Sequence, residues 1–158
     1  MIVAVPTCFG ELTLKTFVAS TVLSLACLST AFAQTDVAAT AAKETGAVVT
    51  ASGLVYRSLK DGTGASPAAT QTVKVHYRGT FPDGKEFDSS YARGTPAEFP
   101  LNRVIKCWTE GVQMMKVGGK SKLTCPASIA YGEKGAGGVI PPNATLQFEV
   151  ELLGVAAK

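Results

Sequence analysis

Near the C-terminal end, Leu146, Phe148, Val150 and Leu152 alternate with Gln147, Glu149 and Glu151. Successive side chains point to opposite faces in an extended strand, so this run calls for a strand with one apolar and one polar face. Such a strand buries one face of an antiparallel sheet and leaves the other to water. Val73, Val75 and Tyr77 alternate with Lys74, His76 and Arg78 in the same way. Leu54–Leu59 and Lys120–Cys125 read as further strands, and another carries Phe87 and Asp88. The turn tripeptide Pro82-Asp83-Gly84 joins that strand to the one before it, and Ser89–Pro96 reads as a loop or bulge. One short helix is expected over Thr109–Val117. Thr109 would cap it, Trp108, Val112 and Met115 would share one face, and Gly118-Gly119 would end it. Many strands and one short helix give an α+β reading, an antiparallel sheet burying one face against a helix.

The chain has 158 residues, enough for one domain and a leader. Hydrophobic residues make up 46%, which supports a real core and argues against bulk disorder. The formal charge of +3 is unchanged when residues 1–33 are set aside. That is too little charge, without a cluster, to indicate nucleic acid as a partner. One His and two well-separated cysteines beyond residue 33 do not make a zinc site, so neither metal nor cofactor is expected.

Residues 1–33 read as a signal peptide. Lys15 precedes an apolar and small-residue run of about 17 positions, short for a membrane span. Ala31-Phe32-Ala33 has the small-x-small form of a cleavage site. A lipid anchor at Cys27 and an uncleaved membrane anchor are the alternatives. Residues 34–52 are rich in Ala and Thr without hydrophobic periodicity and read as a flexible leader, leaving a domain over residues 53–158.

The stretch from Tyr131 to Phe148 has a different character. It crosses Gly132, Gly135, Gly137 and Gly138, displays Val139-Ile140, and leaves through Pro141-Pro142 into the last strand. Apolar residues displayed on a rigid loop beside a tyrosine suggest the wall of a binding pocket.

Four segments, in order, carry a resemblance. They are Val75-His76-Tyr77-Arg78-Gly79, Asp83-Gly84-Lys85-Glu86-Phe87-Asp88-Ser89-Ser90, Val104-Ile105 through Trp108-Thr109-Glu110-Gly111-Val112, and Ala130-Tyr131-Gly132 with Val139-Ile140-Pro141-Pro142-Asn143-Ala144-Thr145-Leu146. Together they closely resemble the FKBP-type peptidyl-prolyl cis-trans isomerases, in particular the exported bacterial forms similar to the isomerase domain of macrophage infectivity potentiators. The resemblance implies a twisted antiparallel sheet of five or six strands wrapped around a short helix, with a pocket between them. It implies isomerase activity on X-Pro bonds of exported proteins, with rapamycin and tacrolimus as inhibitors. The leader is too short for the dimerisation arm of some relatives, so a monomer in the periplasm is expected.

The resemblance also assigns roles. Trp108 would be the pocket floor, with Tyr77, Phe87, Val104, Ile105 and Phe148 as walls. Tyr131 would offer its hydroxyl, and Ile105 its backbone N–H, to a substrate carbonyl. Asp88 would form a polar edge with Tyr77 and Arg93, while Val139 and Ile140 would close the outer wall. Phe99 and Phe148 are pocket or core, and read without the resemblance Trp108 is a core residue. His76 falls on the strand face opposite Tyr77 and is expected to be structural or solvent-facing.

Some positions depart from the family pattern. Cys107 stands where a Gly is usual, and Ala97 where many relatives carry a bulky aromatic residue. On the family fold Cys107 precedes the helix and Cys125 ends the following strand, which implies a disulfide; two free thiols are the alternative. A thiol-disulfide oxidoreductase is disfavoured, because the two cysteines do not form a C-x-x-C pair. A non-catalytic chaperone or adaptor using the same groove stays open beside the enzyme.

Overall fold

The computed structural model describes residues 37–156. The expected signal segment, residues 1–33, lies outside the described residues. The sheet contains seven strands: β1 (Ala47–Val49), β2 (Val55–Lys60), β3 (Thr72–Thr80), β4 (Glu86–Ser89), β5 (Ala97–Pro100), β6 (Lys120–Cys125) and β7 (Leu146–Val155). Hydrogen-bonded order runs β1-β2-β6-β7-β3-β4, with β5 also on β3, and every pairing is antiparallel. The main helix, α1, spans Lys106–Gln113. The fold is therefore the expected α+β architecture, with more strands than the five or six implied.

The extra strand comes from the segment expected to be a flexible leader. Residues 37–42 are helical, and β1 pairs with β2 in register Val48↔Tyr56. Glu44 pins this segment to the sheet by ion pairs to Arg57 at 2.6 Å and Lys122 at 3.2 Å. Three residues without alternation leave no period-two signal to read.

The helix also differs from its expected bounds. It begins three residues before Thr109, with the extended Ile105 as N-cap and no side-chain cap. The Ile105 carbonyl accepts the N–H groups of Trp108 and Thr109 at 2.9 and 3.1 Å. Thr109 lies inside the helix and donates its hydroxyl to the Leu101 carbonyl at 2.6 Å. Gly118, at φ 87°, turns the chain after the helix rather than ending it. Trp108 is thereby set in the first turn, where the helix meets the sheet. Trp108, Val112 and Met115 do share a buried face.

That face packs on the concave side of the sheet. Val73, Val75, Leu123, Leu146, Val150 and Leu152 are all fully buried beneath it. Gly111 permits the close approach: a Cβ there would lie 2.8 Å from Leu123 Cδ2. Cys107 and Cys125, both completely buried and 5.8 Å apart at Cα, are joined by a disulfide. It ties the first turn of α1 to the end of β6, one residue from Trp108.

A cross-link of sequence separation 18 should stabilise the fold by about 3 kcal/mol. Urea unfolding of Cys107→Ala/Cys125→Ala against the oxidised protein measures it, and unchanged stability would show the cross-link contributes nothing.

Candidate functional site

β3 sets the site. Its inward residues are Val73, Val75, Tyr77 and Gly79, while Lys74, His76 and Arg78 face outward. Along its outer edge, Thr72–Val75 pairs with β5 and Arg78–Thr80 with β4. Between these two ladders Tyr77 would lack partners. Ser90, completely buried, supplies both: its hydroxyl accepts the Tyr77 N–H at 2.8 Å, and its N–H donates to the Tyr77 carbonyl at 3.0 Å. Unpaired buried backbone groups are costly, so this double clasp fixes where the tyrosine ring stands.

Around it lies a cavity of about 300 Å³. Its lining is Tyr77, Phe87, Asp88, Phe99, Arg103, Val104, Ile105, Trp108, Tyr131 and Phe148. Trp108 is the floor, only 4% exposed, and three rings meet it edge to face: Tyr77 at 5.3 Å, Phe99 at 5.6 Å and Phe148 at 5.5 Å. Phe87 packs edge-on against Phe148 at 5.7 Å. Gly79 makes room for that pair, because a Cβ there would sit 2.6 Å from the Phe87 ring. The Trp108 Nε1 is the one buried side-chain polar atom without a hydrogen-bond partner among the described residues.

The polar edge is a closed triangle. Tyr77 donates its hydroxyl to one Asp88 oxygen, Arg93 donates to the other, and Arg93 also donates to the Tyr77 hydroxyl at 2.8 Å. The guanidinium stands 5.4 Å from the Tyr77 ring centroid, within cation–π range. Burial pushes the Asp88 carboxyl up, but the hydrogen bonds from Tyr77 and Arg93 and the Arg93 charge outweigh it. The group lies below the ordinary carboxylate value. Burial and the bond to Asp88 raise the Tyr77 phenol. Tyr131 is also raised, by burial first and then by the Asp88 charge. Its hydroxyl, on a ring 39% exposed, has no hydrogen-bond partner among the described residues.

Ten of the twelve residues proposed for catalysis or binding come together here, nine of them in the lining and Arg93 behind Asp88. Val139 and Ile140 do not line this cavity. Ala136 and Ile140 exchange hydrogen bonds at 3.0 and 2.9 Å, closing a narrow loop in which adjacent side chains diverge. Ile140 turns into the core, while Val139, 58% exposed, borders a separate groove with Phe81 and Pro82. Arg103 lines the cavity and was missed by sequence reasoning, as was the role of Ser90. The only sequence signal for Arg103 is its place two residues before Ile105. His76 stays outside, stacked on Tyr91 at 4.7 Å with Nδ1 3.0 Å from the Ser90 hydroxyl.

Known proteins resemble this chain in sequence and fold. The family described as FKBP-type peptidyl-prolyl cis-trans isomerase matches residues 64–153. A protein of Aeromonas hydrophila named FKBP-type peptidyl-prolyl cis-trans isomerase FkpA is 60% identical over 114 residues, covering 72% of this chain and 42% of that protein. The FKBP-type 22 kDa peptidyl-prolyl cis-trans isomerase of Escherichia coli K12 is 55% identical over 114 residues, covering 72% of this chain and 55% of that protein. The chain thus spans about half the length of these relatives. The crystal structure of FkpA from Escherichia coli superposes with a TM-score of 0.77 at 47% identity, covering 79% of this chain and 58% of that one.

Because the folded state holds Asp88 below its ordinary pKa, its ionised form stabilises the fold. That contribution is complete above the unfolded carboxylate value of about 3.9 and is lost as pH falls through the folded value. Stability should therefore fall less steeply with acid below about pH 4 in Asp88→Asn than in the wild type. Urea unfolding at stepped pH checks this, and parallel curves would refute it.

Proposed function

Since the chain belongs to the FKBP-type peptidyl-prolyl cis-trans isomerase family, we propose that its cavity catalyses rotation about X-Pro bonds in unfolded or loop segments of exported proteins. The observation that carries this reading is the cage of Tyr77, Phe99 and Phe148 around Trp108, bounded on one side by the Tyr77–Asp88–Arg93 triangle. Rotation about a peptide bond is slow because resonance makes it partly double, a barrier of about 18–20 kcal/mol. The twisted amide has lost that resonance. Its nitrogen is more pyramidal and its carbonyl less polar, so water solvates it less well than the planar ground state.

A dry aromatic cage reverses that preference. The proline ring lies on Trp108, and the walls exclude water from the amide. Tyr131 donates its free hydroxyl to a substrate carbonyl. The Ile105 N–H, which makes no backbone hydrogen bond among the described residues, supplies a second donor. Asp88, ion-paired with Arg93 and hydrogen-bonded by Tyr77, keeps the edge polar without placing a bare charge beside the amide. No step requires a proton to be transferred, a covalent intermediate or a cofactor. The same apolar walls accommodate the macrolides rapamycin and tacrolimus.

The compartment follows from the leader. Residues 1–33 are read as a signal peptide cleaved after Ala33, which delivers the chain to the periplasm, the setting of the disulfide.

The purified protein should accelerate isomerisation of X-Pro peptides, and rapamycin should block it. Tyr131→Phe removes one substrate hydrogen bond and should lower kcat/KM about five- to tenfold. Asp88→Ala removes the acceptor that Tyr77 and Arg93 share, leaving only the bond between them, and should lower it about 10- to 100-fold. Tight rapamycin binding without turnover would instead make the cavity a peptide-binding module.

A further inference from the structure

We propose that Arg103 is a specificity-determining residue that favours substrates with an acidic side chain next to the proline. The inference rests on the isomerase reading above and adds to it a class of preferred substrate.

Two of the residues lining the cavity are charged at neutral pH, Asp88 and Arg103. They differ in how their charge is answered. Both Asp88 oxygens are engaged, one by Tyr77 and the other by Arg93. Arg103 makes no ion pair and no side-chain hydrogen bond among the described residues. The rim is therefore left with one unanswered positive charge.

The backbone that carries Arg103 is held in place. It ends the 3₁₀ turn Leu101–Arg103, whose Leu101 is completely buried. The Leu101 N–H donates to the Gln71 carbonyl at 3.0 Å, and its carbonyl accepts the Thr109 hydroxyl at 2.6 Å. Both the first turn of α1 and the start of β3 thus anchor the turn. A guanidinium presents a planar fork matched to a carboxylate, and its charge does not titrate away. Beside it lie the apolar Val104 and Ile105, which thin the water around an approaching side chain and strengthen the attraction. A peptide whose proline rests on Trp108 brings its neighbouring residues to this rim. A glutamate or aspartate there gains a partner, whereas a lysine is repelled.

The test measures kcat/KM for peptides carrying Glu, Gln, Lys or Leu on either side of the proline. Wild type, Arg103→Gln and Arg103→Glu are compared at low and high salt. Wild type should prefer Glu over Lys by about two- to fivefold at low salt on one flank, with the preference shrinking as salt is added. Arg103→Gln should lose that preference, and Arg103→Glu should invert it. The ratio is taken within one protein, so partial misfolding of a variant does not imitate the result. Equal Glu and Lys values in wild type, or an unchanged ratio in Arg103→Glu, would overturn the inference while turnover of the Leu peptides preserves the isomerase reading. No turnover of any peptide by folded wild type would overturn both.

Discussion

Trp108 is enclosed by three rings that meet it edge to face, with centroid separations of 5.3 to 5.6 Å. Each ring comes from a different strand: Tyr77 from β3, Phe99 from β5 and Phe148 from β7. The indole itself comes from the first turn of α1. Aromatic pairs favour this geometry, and each contributes about 0.5–1.5 kcal/mol beyond its buried area. The cage can close only if helix and sheet stand at a fixed separation. Gly111 against Leu123 and the Cys107–Cys125 disulfide set that separation. The contacts that stabilise the fold therefore also shape the cavity.

The polar edge solves a different problem. A cavity suited to a twisted amide should be nearly free of charge, yet substrate has to be held in register. Asp88 lies at the rim but has both oxygens occupied, and Tyr77 is locked through Ser90 at the gap between two strand ladders. An interruption in sheet pairing thus becomes a point of precision. The hydroxyl of Tyr131 and the N–H of Ile105 make no hydrogen bond among the described residues, which leaves both available to a substrate.

Much of this was legible in the sequence where periodicity is strong. β6 matches its expected bounds, while β3 and β7 carry clean alternation. The cage residues were named through the resemblance rather than through pattern, since a strand pattern says that Phe148 is buried and not what it faces. Reading failed where local rules compete. Thr109 looks like a cap but serves as a hydrogen-bond donor to the preceding turn, so the helix start was displaced. Val139 and Ile140 are adjacent apolar residues that a narrow loop sends in opposite directions, away from the cavity in both cases. β1 is too short to show a period, and its pairing with β2 is decided by tertiary context. Arg103 gave no pattern because a single charge beside a pocket differs from a solvated one only in its surroundings.

The central claim is that the cavity works by enclosing a twisting amide and transfers no proton. The most direct test is the isomerisation rate of one X-Pro peptide measured in water and in heavy water under kcat/KM conditions. The account predicts an accelerated reaction with the same rate in both solvents, since no O–H or N–H bond is broken at the transition state. A rate clearly slower in heavy water would place a proton in flight, with the Tyr131 hydroxyl as the candidate source, and would contradict the account.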